Sequence, residues 1–166
     1  MSKKYLVTGG AGFIGSAVIK KLLLKKSNKV VCLDSNIRGN LRKLGDDLKK
    51  IKIITADIRN LKALIKASRK VDCLIHLAFL NGTEHFYNRP DLVLDIGTKG
   101  IINVIEACKK NKIKELIIAS SSEVYQKASI IPTPENIPLS IPNVFNPRYS
   151  YATGKILSEV IAINNS

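Results

Sequence analysis

Apolar residues along this chain follow two alternating rhythms. Short, nearly continuous apolar runs mark strands at Lys4–Thr8, Lys29–Leu33 (closing on Asp34), Ile51–Ala56 (closing on Asp57), Val71–Ala78 and Glu115–Ser121. Between them, apolar positions return every three or four residues, the spacing of a helix with one buried face. Helices are predicted at Phe13–Lys25, where Ile14, Ala17, Val18 and Leu22 have helical spacing, at Leu61–Ser68, at Asp91–Asn111 behind Pro90, and at Tyr151–Ile163. Strands that are apolar throughout are those covered on both faces, as in parallel sheets. Alternation with right-handed crossovers then predicts an α/β fold with a doubly wound parallel sheet. One segment breaks the rhythm. Residues 124–150 hold five of the six prolines, and a loop that long within a domain is usually functional or mobile.

Composition adds limits. A chain of 166 residues is expected to form one domain, 1–166, with a core of its own. It holds no apolar run long enough to span a bilayer, and a strand begins directly after the first residues, so neither membrane insertion nor a signal peptide is expected. Cys32, Cys73 and Cys108 lie far apart in apolar segments. Reduced, buried thiols in a cytoplasmic protein are the expectation, not a disulfide or metal set. The net charge of +14 comes largely from lysine pairs spread along the chain, several near predicted helix ends. There they suit the negative end of the helix dipole and solvent. A nucleic-acid binder would carry a basic stripe with interleaved aromatics, and aromatics are only 5%. A general attraction to anionic ligands, nucleotide phosphates included, remains.

The first strand runs into Gly9-Gly10-Ala11-Gly12-Phe13-Ile14-Gly15 and then a helix. Glycine permits the sharp turn, the close approach of backbone to a pyrophosphate, and tight helix–sheet packing. The helix N-terminus adds free N–H groups and a positive dipole end. Asp34 closes the second strand 19 residues after Gly15, about the spacing of a carboxylate that grips the adenosine ribose. Such a carboxylate favours NAD, with its free 2′-hydroxyl, over NADP; Arg38 keeps NADP open. Tyr151 and Lys155, four residues apart on a predicted helix, share one face.

Together these segments resemble the extended short-chain dehydrogenase/reductase family of nucleotide-sugar epimerases, dehydratases and decarboxylases, with a Rossmann-type NAD(P)-binding domain. Thr8–Gly15 is similar to its opening, with Gly9, Gly12, Phe13, Ile14 and Gly15 at the cofactor. Ala56-Asp57-Ile58 resembles the adenine-contacting segment, and His76-Leu77-Ala78-Phe79 the stretch that lines the cofactor past the fourth strand. Ser120-Ser121-Ser122-Glu123-Val124-Tyr125 resembles the end of the fifth strand, and Tyr151-Ala152-Thr153-Gly154-Lys155 the Tyr-x-x-x-Lys of catalysis. His76 is expected to be structural. The stretch Pro147-Arg148 to Glu159 is similar to the decarboxylase branch.

The resemblance implies a mechanism. Free tyrosine titrates near pH ~10, and a neighbouring ammonium, with the positive nicotinamide ring of NAD, is expected to lower that and favour the phenolate. Tyr151 then takes a proton from a sugar hydroxyl while hydride leaves for NAD. Lys155 also holds the nicotinamide ribose, and Ser121 bonds the reacting oxygen. Glu123 faces the same way as Ser121 if strand geometry persists, and handles a second proton in dehydratases of this type. A nucleotide-sugar epimerase or 4,6-dehydratase is expected. A decarboxylase of the same family, or a non-catalytic NAD-binding module, is the alternative.

Two departures stand out. Family members commonly carry Asn at Gly97 and Thr at Ile101. They also continue beyond the catalytic helix into a sugar-binding lobe, so the 166 residues read as a Rossmann domain truncated before the substrate lobe, with an exposed sheet edge. A homodimer through the helices of residues 91–111 and 151–163 is implied by the family.

Overall fold

The computed structural model describes residues 2–165. Its elements in chain order are β1 (Lys4–Thr8), α1 (Phe13–Leu23), β2 (Lys29–Asp34), β3 (Lys52–Thr55), α2 (Leu61–Ala67), β4 (Cys73–His76), α3 (Thr83–Asn88), α4 (Pro90–Asn111), β5 (Glu115–Ile118) and α5 (Ser150–Ile163). Tight 3₁₀ turns lie at Leu41–Lys50, Ser122–Val124 and Pro147–Tyr149. The chain forms two compact units: residues up to Ala78 together with Ile102–Ala119, and Phe79–Ile101 together with the residues from Ser120 onward.

The first unit contains the sheet. Among the described residues it has five strands, all parallel, in the order β3-β2-β1-β4-β5. The order reverses direction beside β1, where Thr8 pairs with His76 of β4 on one side and Leu33 of β2 on the other. This is the doubly wound Rossmann-type arrangement. In such sheets the strand ends at the reversal form the ligand crevice. Leu6, Val7, Leu33 and Leu74 are completely buried, as expected for strands covered on both faces. Ile19 of α1 packs with Val7, Val30, Cys32 and Ile75 in one apolar cluster.

The sheet's outer strand is different. β5 is the edge on one side, and Ile117 is half exposed on it. The predicted fifth strand ran to Ser121; the observed one ends at Ile118 because pairing with β4 stops at His76. The short helix α3 and the three 3₁₀ turns escaped the sequence reading. The turn at Leu41–Lys50 carries a single fully buried anchor, Leu44, and a kink at Gly45 with φ 55°. α3 is six residues long, too short to show a helical period.

The second unit is built from α3, the 3₁₀ turns at 122–124 and 147–149, and α5, with α4 up to Ile101. Its buried residues include Phe86, Val93, Ile96, Val124, Tyr151 and Lys155. The proline-rich segment between the turns exposes Ile131, Val144 and Phe145. No helix among the described residues is long and apolar enough to cross a membrane.

Candidate functional site

In the first unit the glycine turn follows β1 directly. Gly9 has φ +70°, and a Cβ there would stand 2.7 Å from the backbone N of Ala78. At Gly15 a Cβ would stand 2.1 Å from the carbonyl oxygen of Gly9. Any side chain at either position would push backbone off backbone. Gly12 caps α1 without a side-chain hydrogen bond, and the first turn of α1 holds no acidic residue. A helix leaves its first amides without intrahelical partners. Here neither a capping side chain nor a local carboxylate competes for them, which suits an anionic ligand. Phe13 and Ile14, the first two residues of α1, are 83% and 62% exposed, so they project from the turn and do not enter the core.

Asp34 is buried at the end of β2. One carboxylate oxygen accepts from the Ala11 amide at 2.9 Å and the other from the Asn36 amide at 2.8 Å. Its charge therefore organises the glycine turn as well as facing the crevice end of the sheet. Gly39 presses close, because a Cβ there would meet Asp34 Oδ1 at 2.5 Å. Asp57 is clasped by Arg59, whose Nη2 lies 2.6 Å from Oδ2 and whose Nε lies 3.0 Å from Oδ1. Ile58 is buried, and its carbonyl accepts from Asn103 Nδ2 at 3.0 Å. Leu77 and Ala78 follow β4; the Ala78 amide donates to Thr8 Oγ1. That hydroxyl also lies 2.8 Å from Nδ1 of buried His76. His76 is thus a satisfied structural histidine.

The thiols match their expected burial. Burial pushes Cys32 up to about 12, with Asp34 adding to the effect, and Cys108 up to about 11. Neither is reactive at neutrality. Among the described residues no His, Cys, Asp and Glu cluster is able to hold a metal ion.

In the second unit, Tyr151 and Lys155 stand one turn apart on α5, both buried. Tyr151 sits in an aromatic corner. The Phe79 ring meets it edge-on at 5.0 Å between centroids, and Phe86 stacks on it at 5.2 Å. Burial raises the Tyr151 hydroxyl above its ordinary value; a hydrogen bond with Ser121 pulls it back and the Glu123 charge raises it further. Desolvation of the phenolate thus sets the direction of the shift in the chain alone; the expected lowering includes the charge of bound NAD. Burial also lowers Lys155 to about 8, against a smaller raising effect of Glu159.

Ser121 lies beyond β5 and caps the 122–124 turn, accepting from the Glu123 amide at 3.2 Å. Strand geometry thus does not persist from Ser121 to Glu123, which corrects the shared-face expectation. The Glu123 carboxylate instead pairs with Arg148, Nη2 lying 3.1 and 3.3 Å from its two oxygens. Ser120 bonds Glu159. Arg148 and Glu159 were visible in the chain only as parts of a motif; nothing in their spacing reveals these partners.

A family model, the NAD-dependent epimerase/dehydratase family, matches residues 5–165. The chain belongs to this family. Family relatives include UDP-glucose 4-epimerase 2 of Oryza sativa subsp. japonica, 33% identical, with 94% of this chain and 39% of that protein covered. Another is the UDP-N-acetyl-alpha-D-glucosaminuronate decarboxylase of Bacillus cytotoxicus, 30% identical, with 98% of this chain and 50% of the relative covered. A solved structure of UDP-glucose 4-epimerase from Bifidobacterium longum in complex with NAD+ and UDP superimposes with a TM-score of 0.83 at 26% identity. It covers 97% of this chain and 48% of that one. The chain spans about half the length, or less, of the relatives it matches.

Proposed function

We propose that residues 1–166 act as the NAD-binding domain of a nucleotide-sugar epimerase or 4,6-dehydratase, oxidising a sugar hydroxyl. The observation that carries this reading is the buried Tyr151–Lys155 pair on one face of α5, with Ser121 bonded to the Tyr151 hydroxyl. The cofactor fits what the chain offers: glycines at which a Cβ would fill the cradle, an uncapped helix end without acids, and the Asp34 carboxylate. Gly9, Gly12, Phe13, Ile14 and Gly15 would take the pyrophosphate, and Asp34 the adenosine ribose. Asp57 and Ile58 would take the adenine, and Leu77, Ala78 and Phe79 the remaining length. Asp34 favours NAD over NADP, since a carboxylate repels a 2′-phosphate. When bound, NAD supplies the hydride acceptor.

The chain's own groups do the proton work. Tyr151 removes the hydroxyl proton and Ser121 steadies the same oxygen; with NAD bound, Lys155 would hold the nicotinamide ribose, and its ammonium together with the nicotinamide charge would favour the phenolate. Glu123, paired with Arg148, is the acid–base for a second proton if the reaction is a dehydration. The Bacillus relative is a decarboxylase, so UDP-hexuronates belong in the substrate series beside UDP-hexoses. Buried thiols fit a reducing compartment such as the cytoplasm. Exposed Ile102 on α4, and Val160 and Ile163 on α5, are what a homodimer through these helices would cover.

Calorimetry with NAD and NADP, followed by nucleotide-sugar turnover, tests the reading. Binding of NAD in preference to NADP, and conversion that is lost in Tyr151→Phe, are expected. Folded protein that binds neither dinucleotide would overturn it.

A further inference from the structure

Phe79 closes the segment assigned to the cofactor, yet its ring is engaged elsewhere. A Cβ built on Gly97 of α4 would stand 2.4 Å from Phe79 Cζ, and one on Gly154 of α5 would stand 2.8 Å from the same atom. The ring tip therefore fills a slot that exists only because two helices each lack a side chain at that point. Beyond the slot, Lys155 Nζ lies 4.6 Å from the Phe79 ring centroid and 5.7 Å from that of Tyr151. The ring's edge contact to Tyr151 completes the set.

This geometry solves a specific problem. The Lys155 side chain is buried, and burial favours the neutral amine. An aromatic face attracts an ammonium more strongly the less water surrounds it. Two glycines fix the ring, and the ring then fixes the ammonium. We propose that Phe79 is a positioning residue for Lys155, its ring locked by Gly97 and Gly154 and its face holding the Lys155 ammonium beside Tyr151. The catalytic consequence rests on the function proposed above; the placement does not.

Glu159, on the same helix as Lys155, favours the ammonium. Glu123, from the 122–124 turn, acts on Tyr151. α4 presents Gly97 to the ring, and Asp95 on that helix pairs with Lys99 at 2.6 Å.

The test is a nuclear magnetic resonance titration of the Lys155 ε-methylene in the wild-type chain and in Phe79→Leu, which keeps apolar bulk and removes the ring face. In wild type the ε-methylene protons should resonate upfield of those of exposed lysines, displaced by the ring current. In Phe79→Leu that displacement should vanish, and the ammonium should lose its proton about one pH unit lower. A wild-type ε-methylene without upfield displacement overturns the placement, and needs no variant to do so. An unchanged or higher titration in folded Phe79→Leu overturns the role. With NAD and a nucleotide sugar, the alkaline limit of turnover should move down in the same variant. Absence of wild-type turnover would count against the proposed function and leave the resonance result standing.

Discussion

The glycine turn and the Tyr151 corner are built from different materials. In the turn, backbone meets backbone: the Gly9 carbonyl oxygen lies where a Gly15 side chain would begin, and the Ala78 amide lies where a Gly9 side chain would begin. In the corner, side chains meet side chains: Phe79, Phe86, Ser121 and Lys155 surround one phenol. A backbone site tolerates almost no substitution at its glycines but cares little about its surroundings. A side-chain site tolerates change at any one position if a neighbour compensates, and its chemistry is set by burial. The contrast predicts steep, single-residue effects on function in both regions, and context-dependent effects on stability only in the corner.

The largest effect should come from the corner's reacting group. Tyr151→Phe removes only the hydroxyl and keeps the aromatic packing. Loss of general acid–base catalysis is expected to slow sugar oxidation by about 100- to 10,000-fold, with NAD affinity retained by calorimetry. Retained turnover would move the proton transfer to another group. Gly15→Ala comes next. It should destabilise the chain by about 1–3 kcal/mol in denaturant unfolding, against its better helix propensity, and weaken NAD binding at least several-fold. An unaffected variant would show that the turn relaxes, and that backbone packing is not what demands glycine there.

How much of each region is legible in the chain follows from the same contrast. Glycine spacing, the strand before it and Asp34 after the next strand all lie on one line of sequence, and the sheet order follows from strand–helix alternation. Tyr151 and Lys155 are readable for the same reason, being one helical turn apart. The surroundings of Tyr151 are not. Phe86 stacks on it from α3, too short to carry a period, and Arg148 finds Glu123 across the proline-rich segment. Spacing reports the ammonium near Tyr151 but not the burial that desolvates its phenolate. Ser121 and Glu123 were placed on one strand face because apolar pattern alone does not say where a neighbouring strand stops pairing.

Burial of Lys155 gives a pH signature. Its folded value of about 8 lies below the ordinary 10.5, so between these values the unfolded chain binds more protons than the native one. Stability from this group is then lowest below pH 8 and rises as pH increases through the window. Cys32, Cys73 and Cys108, all raised by burial, act in the opposite direction above pH 9. The difference between wild type and Lys155→Met isolates the lysine. From pH 8 to 9, wild type should gain about 1 kcal/mol relative to the variant in urea unfolding with reductant present. Parallel pH profiles would mean that Lys155 is not desolvated in the native chain.

The smallest effect discriminates best, because it changes sign. Gly97→Ala places a methyl group into the middle of α4, where helix propensity favours alanine by about 1 kcal/mol. In wild type that methyl would meet the Phe79 ring tip at 2.4 Å, so the substitution should destabilise despite its propensity. In a Phe79→Ala background the space is open, and the same substitution should stabilise by about 1 kcal/mol. Thermal unfolding of the four chains in this cycle measures both signs. Gly15→Ala has no such rescue, since the atoms it meets belong to the backbone of Gly9 and Gly10. A Gly97→Ala effect of the same sign in both backgrounds would show that α4 or the ring shifts freely, and that the corner is not held by the two glycines. A reversal would show that the absence of a side chain at Gly97 is the counterpart of the ring at Phe79, two residues at different points of the chain that make one packing solution.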